Sequence, residues 1–233
     1  MTSVLVLGLL LGLQHAVEAD HLAAVASLGT RGGDLRDAAR LGAAWGMGHG
    51  LTLLLFGGAV VLIGGSIGPG LALILESIVG LMLILLGTDV LLRIWRKRVH
   101  FHVHRHGRKT HFHAHSHSPG GVHADDPHQH SHNWRLPLRP MFVGMVHGMA
   151  GSAALMVLAL GSVQSIGQGL TYLALFGIGS AVGMTILAVV ISLPLRWSAR
   201  SLTWAHNGLT AILGLFTVSL GTLLLQQSTQ ALL

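Results

Sequence analysis

Six stretches of the chain, roughly residues 3 to 28, 39 to 64, 70 to 92, 139 to 163, 168 to 195 and 202 to 225, are apolar over the ~20 residues a helix needs to cross a bilayer. Backbone amides find no water inside lipid, so each such stretch must satisfy its own hydrogen bonds as a helix. The expected fold is therefore all-α: a polytopic membrane protein with six transmembrane helices. A composition that is 51% hydrophobic and 9% charged, with 32 glycines in 233 residues, suits closely packed helices in lipid better than a soluble core. The first stretch has no basic region ahead of it and no clear cleavage site, so it reads as a retained helix and not as a secretory signal.

Orientation follows from the basic residues, because loops on the cytoplasmic side retain Lys and Arg. Loop one holds Arg31, Arg36 and Arg40; loop three holds Arg93, Arg96, Lys97, Arg98, Arg105, Arg108, Lys109, Arg135 and Arg139; loop five holds Arg196 and Arg200. These are all 14 basic residues, and loops two and four and both termini have none. The expectation is an inner-membrane, multi-pass protein with both termini outside. The high pI is assigned to this topology, and no nucleic-acid partner is expected.

The chain also repeats itself weakly. Gly12-Leu13-Gln14-His15 echoes Gly144-Met145-Val146-His147, Gly46 to His49 echoes Gly177 to Ser180, and Gly80 to Thr88 echoes Gly214 to Thr222, at near-equal offsets of 132, 131 and 134. Two three-helix halves, residues 1–92 and 139–233, are expected around a loop at 93–138. An odd number of helices per half inverts the second, as in many secondary transporters whose substrate site lies near the midplane.

Inside the first apolar stretch stand four ionisable groups: His15, Glu18, Asp20 and His21. Ionisable side chains at membrane depth cost a few kcal/mol each and normally face an ion path or a protein interior. Two imidazoles with two carboxylates make a divalent-cation donor set, and without cysteine the available ligands are nitrogen and oxygen only. On a straight helix, His15 and His21 would be about 9 Å apart along the axis and Asp20 would point away from them. Either the helix is interrupted near Ala16 to Ala19, or the groups form a ladder along a path with Asp20 orienting a ligand. The alternative is a buried polar knot that only fixes packing.

His49, flanked by glycines in the second stretch, and His147 in the fourth are further candidate ligands at shared depth. Each could instead satisfy itself on a backbone carbonyl. Met47, Met145 and Met149 read as packing residues. Glu76, His206 and Asn207 are weaker candidates for entry, exit or proton handling. Asp89, four residues before Arg93, reads as half of a helix-end ion pair.

Loop three carries twelve histidines between His100 and His132, mostly alternating with other residues. Tracts of this kind bind late first-row divalent ions and have no means of building a packed core. The expectation is a disordered cytoplasmic metal buffer or sensor, against an inert solvated linker.

His15-Ala-Val-Glu-Ala-Asp20-His21 resembles the His-x4-Asp-His signature of the nickel/cobalt transporter family (NiCoT/NicO), and Gly48-His49-Gly50 resembles that family's second motif. Gln14 and Glu18 depart from the usual residues, and the later motifs of the eight-helix members are missing. His147-Gly-Met-Ala-Gly-Ser152 is more similar to a short six-helix branch of urease-accessory-type membrane proteins. The resemblance implies nickel or cobalt uptake across the cytoplasmic membrane, with His15, Asp20, His21 and His49 as the matched positions.

Together these readings make the expected metal-site residues His15, Glu18, Asp20, His21, His49 and His147, serving an alternating-access carrier of Ni2+ or Co2+, with Zn2+ also admitted by the donor set. The metal is cargo, and no cofactor is expected. The chain has no phosphate-binding Gly-x4-Gly-Lys-Ser/Thr loop, and no enzyme activity is expected. Efflux by a related permease, or a membrane metallochaperone passing metal to a cytoplasmic partner for urease or hydrogenase maturation, are the alternatives. A membrane di-iron enzyme would need several closely spaced histidine boxes, which the chain lacks.

Overall fold

A computed structural model describes residues 2–30, 34–63, 68–96, 100–106, 109–115, 137–149, 165–201 and 203–232. The helices are α1 (Thr2–His15), α2 (Ala19–Gly29), α3 (Leu35–Ile63), α4 (Pro69–Arg96), α5 (138–149), α6 (Ile166–Ser201) and α7 (Thr203–Leu232). Four of them, α3, α4, α6 and α7, contain segments long and apolar enough to cross a membrane. Their outward faces carry exposed side chains such as Leu55, Leu85, Ile186 and Ile212, as lipid-facing surface requires.

The first expected span is two short helices. Val17 and Glu18 donate to the carbonyls of Gln14 and His15, three residues back, which tightens and ends α1. Glu18 is extended (φ −63°, ψ 152°), and its carbonyl accepts from Leu22 N–H to start α2. Neither piece spans a bilayer alone, at about 21 Å and 17 Å. Of the fourth expected span, α5 is described; residues 150–164 lie outside the described residues.

The long helices have recognisable ends. Asp37 N–H donates to Asp34 Oδ1 (2.7 Å) and Asp34 N–H to Asp37 Oδ2 (3.1 Å), a reciprocal cap at the start of α3. The Asp37 N–H holds the exposed Asp34 carboxyl below its ordinary range. Pro69 opens α4, where its missing N–H costs nothing, and Arg93 and Arg96 close it.

Residues 100–106 and 109–115 depart from the structureless tract expected of them. β1 (His100–His106) and β2 (Lys109–His115) form an antiparallel hairpin that pairs His100 with His115, His102 with His113 and His104 with His111. An alternating sequence has the period of a strand, and that local preference is what the compositional reading passed over. Residues 116–136 lie outside the described residues.

α3 packs along α6, α4 along α7, and α1 along α6. The contacts are glycine-mediated and they exchange. Gly80 approaches Gly221 while Gly87 approaches Gly214; Gly46 meets Ala181 while Gly50 meets Gly177. Gly12 sits on the Phe176 carbonyl and Gly144 on the Trp45 carbonyl; Gly48 lies on Met141 and Gly179 on Leu9. In each pair the second contact is the first shifted by the sequence offsets of 131 to 134, with the partners swapped. Such reciprocal contacts belong to isologous packing about a two-fold axis.

A Cβ added to Gly80 would lie 2.8 Å from the Gly221 carbonyl oxygen, whereas one on Gly70 would meet nothing within 4 Å. Gly80→Leu is expected to destabilise the bundle by about 1–3 kcal/mol through overpacking. Gly70→Ala is expected to leave stability unchanged or slightly raised. Thermal unfolding of the detergent-solubilised protein checks both.

Candidate metal centre

The break between α1 and α2 brings His15 and His21 together, with ring centroids 4.4 Å apart where a straight helix would separate them. His49, from the middle of α3, lies 5.3 Å from His15 and 5.1 Å from His21. His147, from α5, lies 4.2 Å from His21 and 6.0 Å from His49. All four imidazoles are at most 4% exposed, and His21 is the most central, with ring centroids 4.2, 4.4 and 5.1 Å from the other three.

Asp20 organises this cluster from the first turn of α2. His21 Nδ1 donates to Asp20 Oδ1 (3.0 Å), and the His21 backbone N–H reaches the same oxygen at 2.8 Å. His147 Nε2 donates to Asp20 Oδ2 at 2.8 Å. A carboxylate only accepts, so both rings place their proton toward Asp20. Their remaining nitrogens, His21 Nε2 and His147 Nδ1, have no hydrogen-bond partner among the described residues. The same is true of both nitrogens of His15 and of His49. Buried polar atoms are ordinarily paired, because an unpaired one costs about 1–3 kcal/mol. Several orphaned imidazole nitrogens in one buried cluster therefore form a donor set without an acceptor of its own.

Two triads could each hold a divalent cation: His15, His21 and His49, and Asp20, His21 and His147, every triad having one donor atom per residue within 4.8 Å of the others. His21 belongs to both. Glu18 stands at the edge of the cluster, its Oε1 2.9 Å from His15 Nδ1 but off the line a hydrogen bond needs, so the contact is electrostatic. Its side chain is 54% exposed.

Aromatic groups that sequence reasoning did not single out wall the cluster. Trp45 is fully buried, with its ring 5.4 Å from His21 and 5.8 Å from His147, and Phe176 lies 5.3 Å from His15. Trp45 stands four residues before His49, one helical turn away, which is the signal that could have found it. α2 is pinned to α7 by a buried bond between Ser27 Oγ and Thr217 Oγ1 (2.9 Å), with Thr217 Oγ1 also within reach of the Ala23 carbonyl.

The weaker candidates lie elsewhere. Asp89 pairs with Arg93 (3.5 Å), as its spacing suggested, and also with Arg139 (3.1 Å). His206 meets Ser198 Oγ at 3.2 Å near the start of α7. Glu76 lies part-way along α4 and belongs to neither triad.

Over 221 residues, 95% of this chain and 90% of the relative, the sequence is 32% identical to the "Urease accessory protein UreH" of Bacillus sp. (strain TB-90). The chain belongs to the UreH family of urease accessory proteins. No protein-family model matches it, and no solved structure does. The match runs nearly end to end, so in this UreH-family chain it takes in the broken first helix, α3 and α5 together.

Because Asp20 holds two rings in place, Asp20→Asn is expected to weaken nickel binding about 10–100-fold, the usual cost of losing a ligand-orienting carboxylate. Glu18→Gln is expected to have a smaller effect. Calorimetric titration of the purified protein with Ni2+ checks the order.

Proposed function

We propose that this chain carries Ni2+ or Co2+ across the cytoplasmic membrane, inward, by alternating access at the histidine cluster. The observation that carries the reading is the convergence of four buried imidazoles with orphaned nitrogens at a mid-helix break. The break lies 14 residues into α1 and 11 from the end of α2, so the cluster falls near the middle of the span they form together. Discontinuous helices at the midplane are where secondary transporters build substrate sites. Imidazole and carboxylate donors suit nickel and cobalt, and would also accept zinc. The signature from His15 to His21, and the relative's role as an accessory of urease, a nickel enzyme, support nickel as the cargo.

In this reading α1 with α2, α3 and α4 form one half and α5, α6 and α7 its inverted repeat. The exchanged glycine contacts support that pairing. His15 and His147 then occupy equivalent positions at an offset of 132, and His49 corresponds to Ser180. The histidine shared by both triads lets the cation pass from one to the other without losing all its ligands. An internal-negative potential favours entry of a doubly charged ion by about 4.6 kcal/mol at 100 mV, so inward movement needs no ATP. Both termini face outward and the basic loops face the cytoplasm, where the histidine tract buffers arriving metal.

A second reading draws on the accessory role named for the relative: a membrane metallochaperone would use the same ligands to hand metal to a cytoplasmic partner. Flux by the isolated protein separates the two. Proteoliposomes with an inside-negative potential are expected to accumulate radiolabelled nickel, and His21→Ala with His49→Ala to reduce the rate more than about tenfold. Equal rates in wild type, variant and empty vesicles would remove the carrier and favour the chaperone.

Deleting residues 100–132 is expected to leave the vesicle flux within about twofold of wild type, because neither triad draws a ligand from that tract. Loss of flux would place the tract in the transport path. The natural chain has no cysteine, so single cysteines at residues 66 and 34 report topology directly. A membrane-impermeant thiol reagent added to intact cells is expected to label position 66 and spare position 34.

A further inference from the structure

A polar cavity of about 350 Å3 lies away from the histidine cluster. It opens between the C-terminal end of α2, the last turns of α4 and the first turns of α7. Thr30, Arg93, His206, Asn207 and Thr210 supply its polar wall, and buried Val90 contributes part of the apolar wall. From these residues we infer a phosphate-binding site, occupied by the phosphate group of an anionic lipid of the adjoining leaflet or by free phosphate.

Charge selects an anion over a cation. Two guanidinium groups, those of Arg139 and Arg93, stand against the one carboxylate of Asp89, and that of Arg93 lines the cavity. A divalent metal would meet that guanidinium at close range, which argues against a second cation station despite the imidazole of His206. Donor geometry selects an oxyanion. Arg93 Nη2 donates to Thr30 Oγ1 at 3.2 Å, and that hydroxyl passes its own proton to the Ser27 carbonyl at 2.8 Å, so the Arg93 head is steered to the cavity wall. His206 Nδ1 donates to Ser198 Oγ, whose own proton goes to the Leu195 carbonyl, so the ring walls the cavity without counting among its donors. Asn207 brings an amide N–H pair.

Thr210 is the decisive residue. It is 6% exposed, lines the cavity, and its Oγ1 has no hydrogen-bond partner among the described residues. A buried hydroxyl without a partner, beside a guanidinium and an amide, matches a ligand with several acceptor oxygens. The level of the cavity suits a headgroup. Trp95 and Trp197, 79% and 73% exposed, flank the same end of the bundle, and exposed tryptophans gather at the membrane–water interface. Basic pockets between helices at that depth take up phosphate headgroups.

The site rests on the membrane reading and not on metal carriage. Full-length protein in neutral detergent would be dialysed against radiolabelled inorganic phosphate, and in a separate arm incorporated into nanodiscs of phosphatidylglycerol mixed with phosphatidylcholine, with retained phosphatidylglycerol counted after re-extraction. Thr210→Val keeps the side-chain shape and removes the hydroxyl, and is expected to weaken binding about tenfold; Asn207→Leu is expected to act similarly. Saturable binding of inorganic phosphate that falls in both variants supports the site with free phosphate as its ligand. Selective retention of phosphatidylglycerol that falls in both variants supports it with a lipid headgroup. No binding in either arm, or binding equal in wild type, Thr210→Val, Asn207→Leu and Arg93→Gln, overturns the proposal. Nickel titration of the same preparations reports on folding and on the histidine cluster separately, so failure of either proposal is visible without the other.

Discussion

The carboxylate of Asp20 joins the two parts of the molecule that matter most. One oxygen takes the proton of His21 on its own helix, and the other takes that of His147 on α5, 127 residues away. This arrangement exists only because α1 stops at His15 and α2 starts at Ala19. On a continuous helix Asp20 would point away from His15 and the two histidines would stand well apart. The break leaves backbone groups without α-helical partners inside an apolar bundle, a cost that short-range bonds at Val17 and Glu18 partly offset. What the break obtains is a set of four imidazoles, two of which turn their protons to one anion, with unpartnered nitrogens left on every ring.

Close glycine packing makes the enclosure possible. Gly144 and Gly148 bring α5 directly against the backbone of Trp45 and His49, and Gly12 brings α1 against Phe176. Side chains at these positions would push α1 and α5 outward and separate the ligands they carry. The exchange of contacts between α3 with α6 and α4 with α7 gives the bundle a two-fold character that the histidines do not share. His49 has a serine at its counterpart position, and Asp20 and His21 correspond to Ser152 and Ala153 at the same offset as His15 and His147. The donor set thus draws on α1, α2 and α3, with one histidine from α5.

Residue chemistry was the legible part of the site. Ionisable groups within apolar windows singled out His15, Asp20, His21, His49 and His147, and the structure places all five in one cluster. Spacing groups Glu18 with them, yet it sits at the edge, its carboxylate beside His15 and in neither triad. The sequence leaves the break as one of two options, because Ala16-Val17-Glu18-Ala19 contains neither glycine nor proline to mark it; its visible support is tertiary, in the bond from His147 of α5 to Asp20. Trp45 and Phe176 escaped notice because apolar residues in apolar helices look alike until packing is known. The weak repeat showed as glycine offsets, but only tertiary contacts reveal that repeated positions meet each other with partners exchanged. In the histidine tract composition hid periodicity: alternation sets a strand pattern, and β1 pairs with β2 in histidine register.

The central claim is that the leftover imidazole nitrogens close on one divalent cation between the halves. X-ray absorption at the nickel edge measures it most directly, on protein loaded with one equivalent of Ni2+ after removal of residues 100–132 so that the tract contributes nothing. The account predicts a first shell of nitrogen and oxygen, with multiple scattering from at least three imidazoles that is lost in His21→Ala. A spectrum of hydrated nickel without imidazole scattering, the same in wild type and variant, would contradict it.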